Sequence, residues 1–410
     1  MNPRQYALNV LEQVVLDHGY ANLLLRKQND FSVQDMGLIS EIVYGTLRNY
    51  TWLEYQWKHF AKTVRPKTAV LLNMSVYQML YLDKVPDYAV INEAVEMCQK
   101  KDKSFVNAVL RKVQKQQERT AETKDEIEAA ALRLSHPLWL MKLWTAHYGK
   151  ETALKIAEHD QSRGQVYGRI NTLKISREEL LADSRVHFIN DISFTFDGNL
   201  TDTDWFRNGQ VIIQDIASAM IPEYLDTEPG MRVLDVCAAP GTKTQETAML
   251  MEDKGRIDAG DLYEHRVELI DRLMERTGVS IVSAAVRDAT AAPEGEPYDR
   301  ILADVPCSGL GDLRGKPEIR LHTAPEDLDE LAAVQKKILA ACAPALRPGG
   351  ILVYSTCTLN RKENENQIAS FLKEHPEFTL MKEKTFFPFE LNSDGFYVAQ
   401  LKKTDRFMLE

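Results

Sequence analysis

The sequence predicts a multidomain chain in three parts. An all-α N-terminal domain spans residues 1–125, a small α+β module 126–215, and a C-terminal α/β domain with a doubly wound parallel sheet 216–410. Three observations carry this. Apolar residues recur at three- and four-residue spacings through residues 1–120. Short strand-like runs mix with helical ones from about 133 to 215. From there on, strand-like runs alternate with helices of about ten or more residues, the mark of βαβ units and a parallel sheet covered on both faces. A chain of 410 residues also exceeds what one core organises.

The helical part reads from "YALNVLEQVVL", "MGLISEIVYGTLRNYTWLEYQW", "AVLLNMSVYQMLYL" and "YAVINEAVEMCQK", with Asp, Asn, Pro and Gly punctuating them. "KSFVNAVLRKVQKQQER" adds a helix with a basic outer side, and "ERTAETKDEIEAAAL" (118–132) reads as a linker or an exposed helix. In the middle module, "VYGRINTLKI", "VHFINDISFTFDG" and "GQVIIQD" read as short strands, with "SREELLAD" a helix between the first two. The last domain runs "RVLDVCAA", "TKTQETAMLM", "GRIDAGDL", "EHRVELIDRLMERTG", "IVSAAVRDA", "DRILADV", "PEDLDELAAVQKKILAACAPAL" and "GGILVYST", a Rossmann-like alternation.

Composition narrows the classes. Apolar residues make up 44% and charged residues 27%, ordinary for a globular protein. No apolar run reaches the roughly 18–20 residues of a membrane span, and no secretory signal is visible at the start. Cys98, Cys237, Cys307, Cys342 and Cys357 form neither a C-x-x-C pair nor a disulfide framework, so a reducing, cytoplasmic setting is expected and no metal site. The net charge is −10, yet residues 1–120 hold 16 Lys and Arg against 12 Asp and Glu. That local excess of +4 is compatible with touching phosphates, and equally with an ordinary solvated surface.

The first strand of the last domain ends in "VLDVCAAPGTKT". A glycine turn between a parallel strand and its helix aims backbone N–H groups at the carboxyl edge of the sheet. Neither G-x-G-x-x-G nor the phosphate loop G-x-x-x-x-G-K-[ST] is present. Asp261, twenty residues after Gly241, is placed to take two ribose hydroxyls, and Asp288 to meet the exocyclic amine of adenine. Each alone could be a helix cap or turn residue. Together, at the ends of successive strands, they favour a nucleoside cofactor, and S-adenosylmethionine over NAD or ATP.

Two thiols follow. In strand order 3-2-1-4-5 the fourth and fifth strands end beside the switch point, and Cys307 and Cys357 follow those ends. A cysteine is most often a small buried hydrophobe, and Cys98, Cys237 and Cys342 fit that reading. Two at the functional edge beside Asp304 point elsewhere, to methylation of a pyrimidine at C5. That carbon is a poor nucleophile until a thiolate adds to C6. A carboxyl group beside N3 stabilises the charge that develops. A base must then remove the C5 proton so that the thiol can leave. The residues alone do not rank the two thiols.

"CAAPGTKT", "DVPCSGLG" and "YSTCTLNRKENE" resemble the cofactor loop, the Asp-x-Pro-Cys motif and the Thr-Cys motif of RNA 5-methylcytosine methyltransferases. The likeness is nearest to the ribosomal RNA small subunit methyltransferase B family. "EIVYGTLRNYTWLE", "INEAVEMCQK" and "FVNAVLRKV" are similar to that family's NusB-like helical domain, and "QDIASAMI" and "DGFYVAQL" match as well, so the resemblance covers nearly the whole chain. It implies Cys357 as the nucleophile, Cys307 as the thiol assisting release, and Asp304 as the N3 contact. It implies a cofactor site of Cys237, Ala238, Ala239, Pro240, Gly241, Thr242, Lys243, Asp261, Asp288 and Asp304 for S-adenosylmethionine. Lys243 is expected as an electrostatic neighbour of Asp304 or of a thiol, or else as an ordinary first-turn helix residue. Thr242 stands where a second glycine is usual in the family, Gly315 where a basic residue is common, and Leu321 where tryptophan is frequent.

The implied partner is 16S rRNA, naked or in an assembling small subunit, bound by a monomer. A cytosine inside a duplex is out of reach, so the target must be unpaired or flipped. Arg111 and Lys112 of the helical domain, with Lys100, Lys101, Lys103 and Lys115 near them in sequence and Arg48 elsewhere in the domain, are candidates for tracking phosphates. In the middle module, an RRM-like one on this reading, Arg169 and Asn171 are candidate RNA contacts, with Tyr167 or Phe194 as stacking rings. The competing readings are a tRNA cytosine-C5 methyltransferase and a catalytically silent RNA-binding assembly factor. An amino-group methyltransferase would carry [DN]-P-P-[FY] where this chain has "DVPC".

Overall fold

The computed structural model describes residues 2–26, 30–61 and 63–404. The chain forms two compact units, one made of Met1–Arg163 and Leu313–Thr323, the other of Gly164–Asp312 and Ala324–Glu410.

The first unit is helical throughout. Its centre is the Pro66–Tyr81 helix, which opens on a proline and buries every residue from Val70 to Gln78. A helix buried all round must pair its polar side chains. Asn73 Oδ1 accepts from Trp57 Nε1 at 2.7 Å, and the Ser75 hydroxyl donates to the Leu71 carbonyl at 2.7 Å. Helices Pro3–Asp17, Val33–Arg48 and Lys103–Lys115 lay apolar stripes on this core, the last through Val106, Val109, Leu110 and Val113. Helices Glu126–Arg133, Leu138–Tyr148 and Lys150–His159 belong to this unit, where the sequence reading grouped residues 126–163 with the middle module.

Leu313–Thr323, eleven residues from much later in the sequence, complete the unit. Glu318, fully buried, accepts the Ala21 N–H at 3.0 Å, and the His322 ring meets the Val14 carbonyl at 2.8 Å. Arg320 donates to the carbonyls of Arg48 (3.1 Å), Leu134 (3.4 Å) and Asp160 (3.1 Å). Leu321, at the position where tryptophan is frequent, packs against the helical core.

The second unit holds two sheets. Strands β1 (Gly168–Ile170), β2 (Val186–Phe188), β3 (Ser193–Phe196) and β4 (Val211–Ile213) form an antiparallel sheet ordered β2-β3-β1-β4. The Arg177–Leu181 helix between β1 and β2 starts on a capping box of Ser176 and Glu179. The larger sheet contains β5 (Arg232–Asp235), β6 (Arg256–Asp261), β7 (Val282–Val286), β8 (Tyr298–Asp304) and β9 (Leu346–Thr356), all parallel. A closing hairpin, β10 (Phe378–Phe386) and β11 (Phe396–Lys403), adds antiparallel strands beyond β9. The order β10-β11-β9-β8-β5-β6-β7 contains the expected 3-2-1-4-5 arrangement, with its switch point between β5 and β8.

The two sheets are joined through buried polar groups. Arg169 on β1, fully buried, donates to Gln214 Oε1 (2.6 Å), Gln245 Oε1 (2.5 Å) and the Thr242 carbonyl (3.2 Å). It pairs with Glu246 at 3.4 Å. Asn171, also fully buried, donates to the carbonyls of Gly209 (2.8 Å) and Thr277 (3.0 Å). These contacts correct the expectation that Arg169 and Asn171 touch RNA, since neither has surface to offer. Tyr167 and Phe194 are buried as well and present no ring for stacking.

Candidate active site

Neighbouring parallel strands end side by side, and this brings the chemistry together. In the ladder between β8 and β9, Asp304 is the register partner of Ser355, so Cys307 and Cys357 follow adjacent strand ends. Their sulfurs lie 3.3 Å apart. On the other side of β8, β5 runs through the 236–241 loop into the Thr242–Leu250 helix, whose first turn carries Lys243. Lys243 Nζ donates to Asp304 Oδ2 at 2.7 Å, and the Ser355 hydroxyl donates to Asp304 Oδ1 at 2.7 Å. The Lys243 ammonium also lies 5.1 Å from the Phe396 ring centroid.

Electrostatics divide these groups. Burial works against charge on Lys243, but the Asp304 carboxylate outweighs it and raises the ammonium's pKa, with a smaller contribution from Cys357. Cys307 is pushed well above the ordinary thiol range, first by its hydrogen bond with Cys357 and then by burial. Burial raises Cys237 well above that range too, so it stays a thiol in the cofactor loop. Cys342 is buried in the sheet's core, pushed up to about 12 by burial, and Cys98 packs against the helical core.

The loop after β5 is tightly held. Ala238 N–H donates to the Gly260 carbonyl (2.8 Å), and Gly241 N–H to the Ala238 carbonyl (2.7 Å). The Ala239–Pro240 bond is cis, and Gly241 turns at φ 101°, where a side chain would be strained. Thr242 follows directly as the first helical residue. Asp261 ends β6 beside this loop. One oxygen accepts from Ala239 N–H at 3.3 Å, and the other pairs with Arg266 at 2.9 Å. Each oxygen keeps a second acceptor position for a hydroxyl donor. Asp288 follows β7 in an exposed turn, accepting from the Thr290 N–H (2.9 Å) and hydroxyl (2.6 Å), which hold its carboxyl below the usual range. It lines a cavity of about 370 Å³ whose other walls include Leu234, Val236, Ala289 and Cys342. Arg287 and Glu294 line it too; largely apolar walls with carboxylates among them suit a purine ring bearing an exocyclic amine. In this respect the residues fit a nucleoside cofactor.

One group that the sequence reading passed over sits under both thiols. Glu363 is fully buried and bonded to the residue after Cys307. Within "YSTCTLNRKENE" it looks like part of a solvated charge run, and only the run's closeness to Cys357 could have drawn notice.

Arg111 and Lys112 lie on the Lys103–Lys115 helix of the first unit. Lys112 is exposed with its ammonium over the Phe60 ring, and Arg111 is half-buried and donates to Gln114 Oε1 at 3.1 Å. Among the described residues no cluster suited to a metal ion occurs, and no helix is long and apolar enough to cross a membrane.

Three family models match the chain. They are the NusB family over residues 1–115, the ferredoxin-like domain of RsmF/B-like methyltransferases over 136–183, and the 16S rRNA methyltransferase RsmB/F over 222–402. A probable ribosomal RNA small subunit methyltransferase B of Bacillus subtilis (strain 168) is 38% identical, covering 98% of each chain. The solved structure of PH0851 superposes with a TM-score of 0.82 at 25% identity, covering 98% of this chain and 99% of that one. A methyltransferase homolog from Pyrococcus horikoshii superposes at 0.61 with 28% identity, covering 68% of this chain and all of that one.

Proposed function

Since the chain belongs to the ribosomal RNA small subunit methyltransferase B family, and so to the 16S rRNA methyltransferases, we propose a specific reaction for it. It methylates C5 of a cytosine in 16S rRNA through a covalent Cys357–C6 intermediate, with S-adenosylmethionine as donor. The observation that carries this reading is the pair of sulfurs 3.3 Å apart beside a carboxylate bonded to Lys243.

Cys357, as thiolate, adds to C6 of a flipped cytosine, and the electrons of the C5–C6 double bond move toward N3. Asp304 faces N3, held in place by Ser355 and by Lys243, whose ammonium supplies through Asp304 the proton that neutralises that charge. S-adenosylmethionine, when bound along Cys237–Lys243, Asp261 and Asp288, supplies an electrophilic methyl group. The C5 proton then passes to Cys307, which hands its own proton across the 3.3 Å contact to the departing Cys357 sulfur as the Cys357–C6 bond breaks and the double bond re-forms. One feature supports Cys357 over Cys307 as the attacking thiol: the Lys243 ammonium interacts favourably with Cys357. Cys307 then serves the release step. Arg111 and Lys112 remain the phosphate contacts of the reading, with Lys112 the more exposed.

The test uses labelled S-adenosylmethionine with unmodified small-subunit rRNA and, in parallel, tRNA. Cys357→Ala should transfer no methyl group, and Cys307→Ala should accumulate a covalent protein–RNA adduct on a denaturing gel. An adduct formed by Cys357→Ala would reverse the two roles. Full activity of both variants would sink the mechanism, and transfer to tRNA alone would move the substrate.

A further inference from the structure

Both thiol-bearing loops are tied to one buried carboxylate. Glu363 Oε2 accepts the Ser308 backbone N–H and Gln335 Nε2, each at 2.9 Å. Its Oε1 accepts the Ser308 hydroxyl at 2.5 Å and Asn360 Nδ2 at 3.0 Å. Four donors thus use the acceptor positions of a carboxylate that is fully withdrawn from solvent.

The ties reach the neighbours of each sulfur. Ser308 follows Cys307, and Gln335 also donates to the carbonyl of Pro306, which precedes it, at 3.0 Å. A carboxylate only accepts, so the Ser308 hydroxyl donates to Glu363 and receives from Thr358, 2.7 Å away. Thr358 follows Cys357. Asn364, which follows Glu363, accepts the Thr356 hydroxyl at 2.6 Å and donates to the Thr358 carbonyl at 2.9 Å, bracketing Cys357 from both sides. Tyr354 on β9 donates to the Glu363 carbonyl at 2.6 Å and fixes the hub to the sheet.

We infer that Glu363 is a positioning residue that sets the separation of Cys307 and Cys357: its carboxylate clamps the Pro306–Ser308 segment through Ser308 and Gln335, holds Asn360 of the Cys357 loop, and reaches Thr358 through the Ser308 hydroxyl. Hydrogen bonds to an ionised acceptor are shorter and stronger than neutral ones, and a buried network is rigid only when every member is satisfied. An amide at this place would turn one accepting oxygen into a donor facing two donors. Its effect on turnover rests on the two-thiol reading above; its effect on sulfur spacing does not.

Phenylarsine oxide reads the spacing without any reaction on RNA. It bridges two close thiols by forming two As–S bonds, its oxygen leaving as water with the two thiol protons. In the wild-type protein it should link Cys307 and Cys357, seen by peptide mapping. In Glu363→Gln the bridging rate should fall at least about tenfold, and kcat by a similar factor, with KM for rRNA within about twofold. Ser308→Ala, which removes one arm of the clamp, should fall part of the way and serves if the first variant does not fold. Bridging and kcat at wild-type levels in folded Glu363→Gln, or in folded Ser308→Ala should the first not fold, would overturn the inference. If the two cysteine variants prove active, the catalytic reading fails, while the bridging rates still decide whether Glu363 sets the spacing.

Discussion

Asp235 ends β5 immediately before the cofactor loop, almost fully buried, with its carboxylate accepting the Thr244 hydroxyl at 2.8 Å. Burial, aided by the nearby Asp304 charge, pushes its pKa up to about 7. The folded state therefore binds this proton more tightly than the unfolded chain. The stabilisation is complete below the unfolded value near 4 and is lost as pH rises through about 7. At roughly 1.4 kcal/mol per pKa unit, the swing is at most about 4 kcal/mol. Asp235→Asn should remove it. Urea midpoints taken at pH 5.5 and 8 should then differ less in the variant than in the wild type, and an unchanged difference would refute the assignment.

At the scale of elements, a strand end is useful only if its loop is held. Gly311 N–H donates to the Cys357 carbonyl at 3.0 Å, and the Gly311 carbonyl accepts from Gly395 N–H at 2.7 Å. A Cβ on Gly311 would lie 2.1 Å from the Gly395 carbonyl oxygen and 2.9 Å from that of Cys357. Gly311→Ala must therefore displace backbone in the group Gly311, Gly395 and Cys357, and so strain the bond that holds the Cys357 carbonyl. Misplacement on the order of 1 Å can cost about a hundredfold, so kcat in a steady-state assay should drop by roughly that factor. Gly37, in the Val33–Arg48 helix, is the contrast, since a Cβ there meets nothing within 4 Å and alanine should cost no activity.

The strand order and the convergence of Cys307, Cys357 and Asp304 were readable in advance, because parallel strands with helical crossovers leave few alternatives at the switch point. Arg169 and Asn171 were not. An arginine in a short strand ordinarily reads as surface, and what buries this one is a helix with polar residues at inward positions, Thr244, Gln245, Glu246 and Thr247. That unusual run in "TKTQETAML" was the available signal. Glu363 was hidden for the same reason. Sequence patterning assigns charge to solvent, and a satisfied buried carboxylate is recognised only from its donors.

For the whole molecule, the segment Leu313–Thr323 matters more than its length suggests. Arg320 is almost fully buried, and burial lowers its pKa to about 10. Its three carbonyl partners would be left without it in Arg320→Ala. A loss of about 3 kcal/mol is expected, read as a lower melting temperature of the helical unit by calorimetry. A transition at the wild-type temperature would show that these bonds add nothing.

The same segment sets an order of events on the ribosome. N-terminal domains ordinarily fold as they emerge, at about 5–20 residues per second. Here the helices up to Arg163 are made long before the piece that completes them, which follows only after β5 to β8 have been synthesised. Until Thr323 appears, the Ala21 N–H and the carbonyls of Val14, Arg48, Leu134 and Asp160 lack the bonds that Glu318, Arg320 and His322 make to them in the finished protein, though Gln161 already reaches the Arg48 and Leu134 carbonyls. The newborn helical unit is a receptor awaiting its own peptide. A cut between residues 163 and 164 would not by itself yield two self-sufficient fragments.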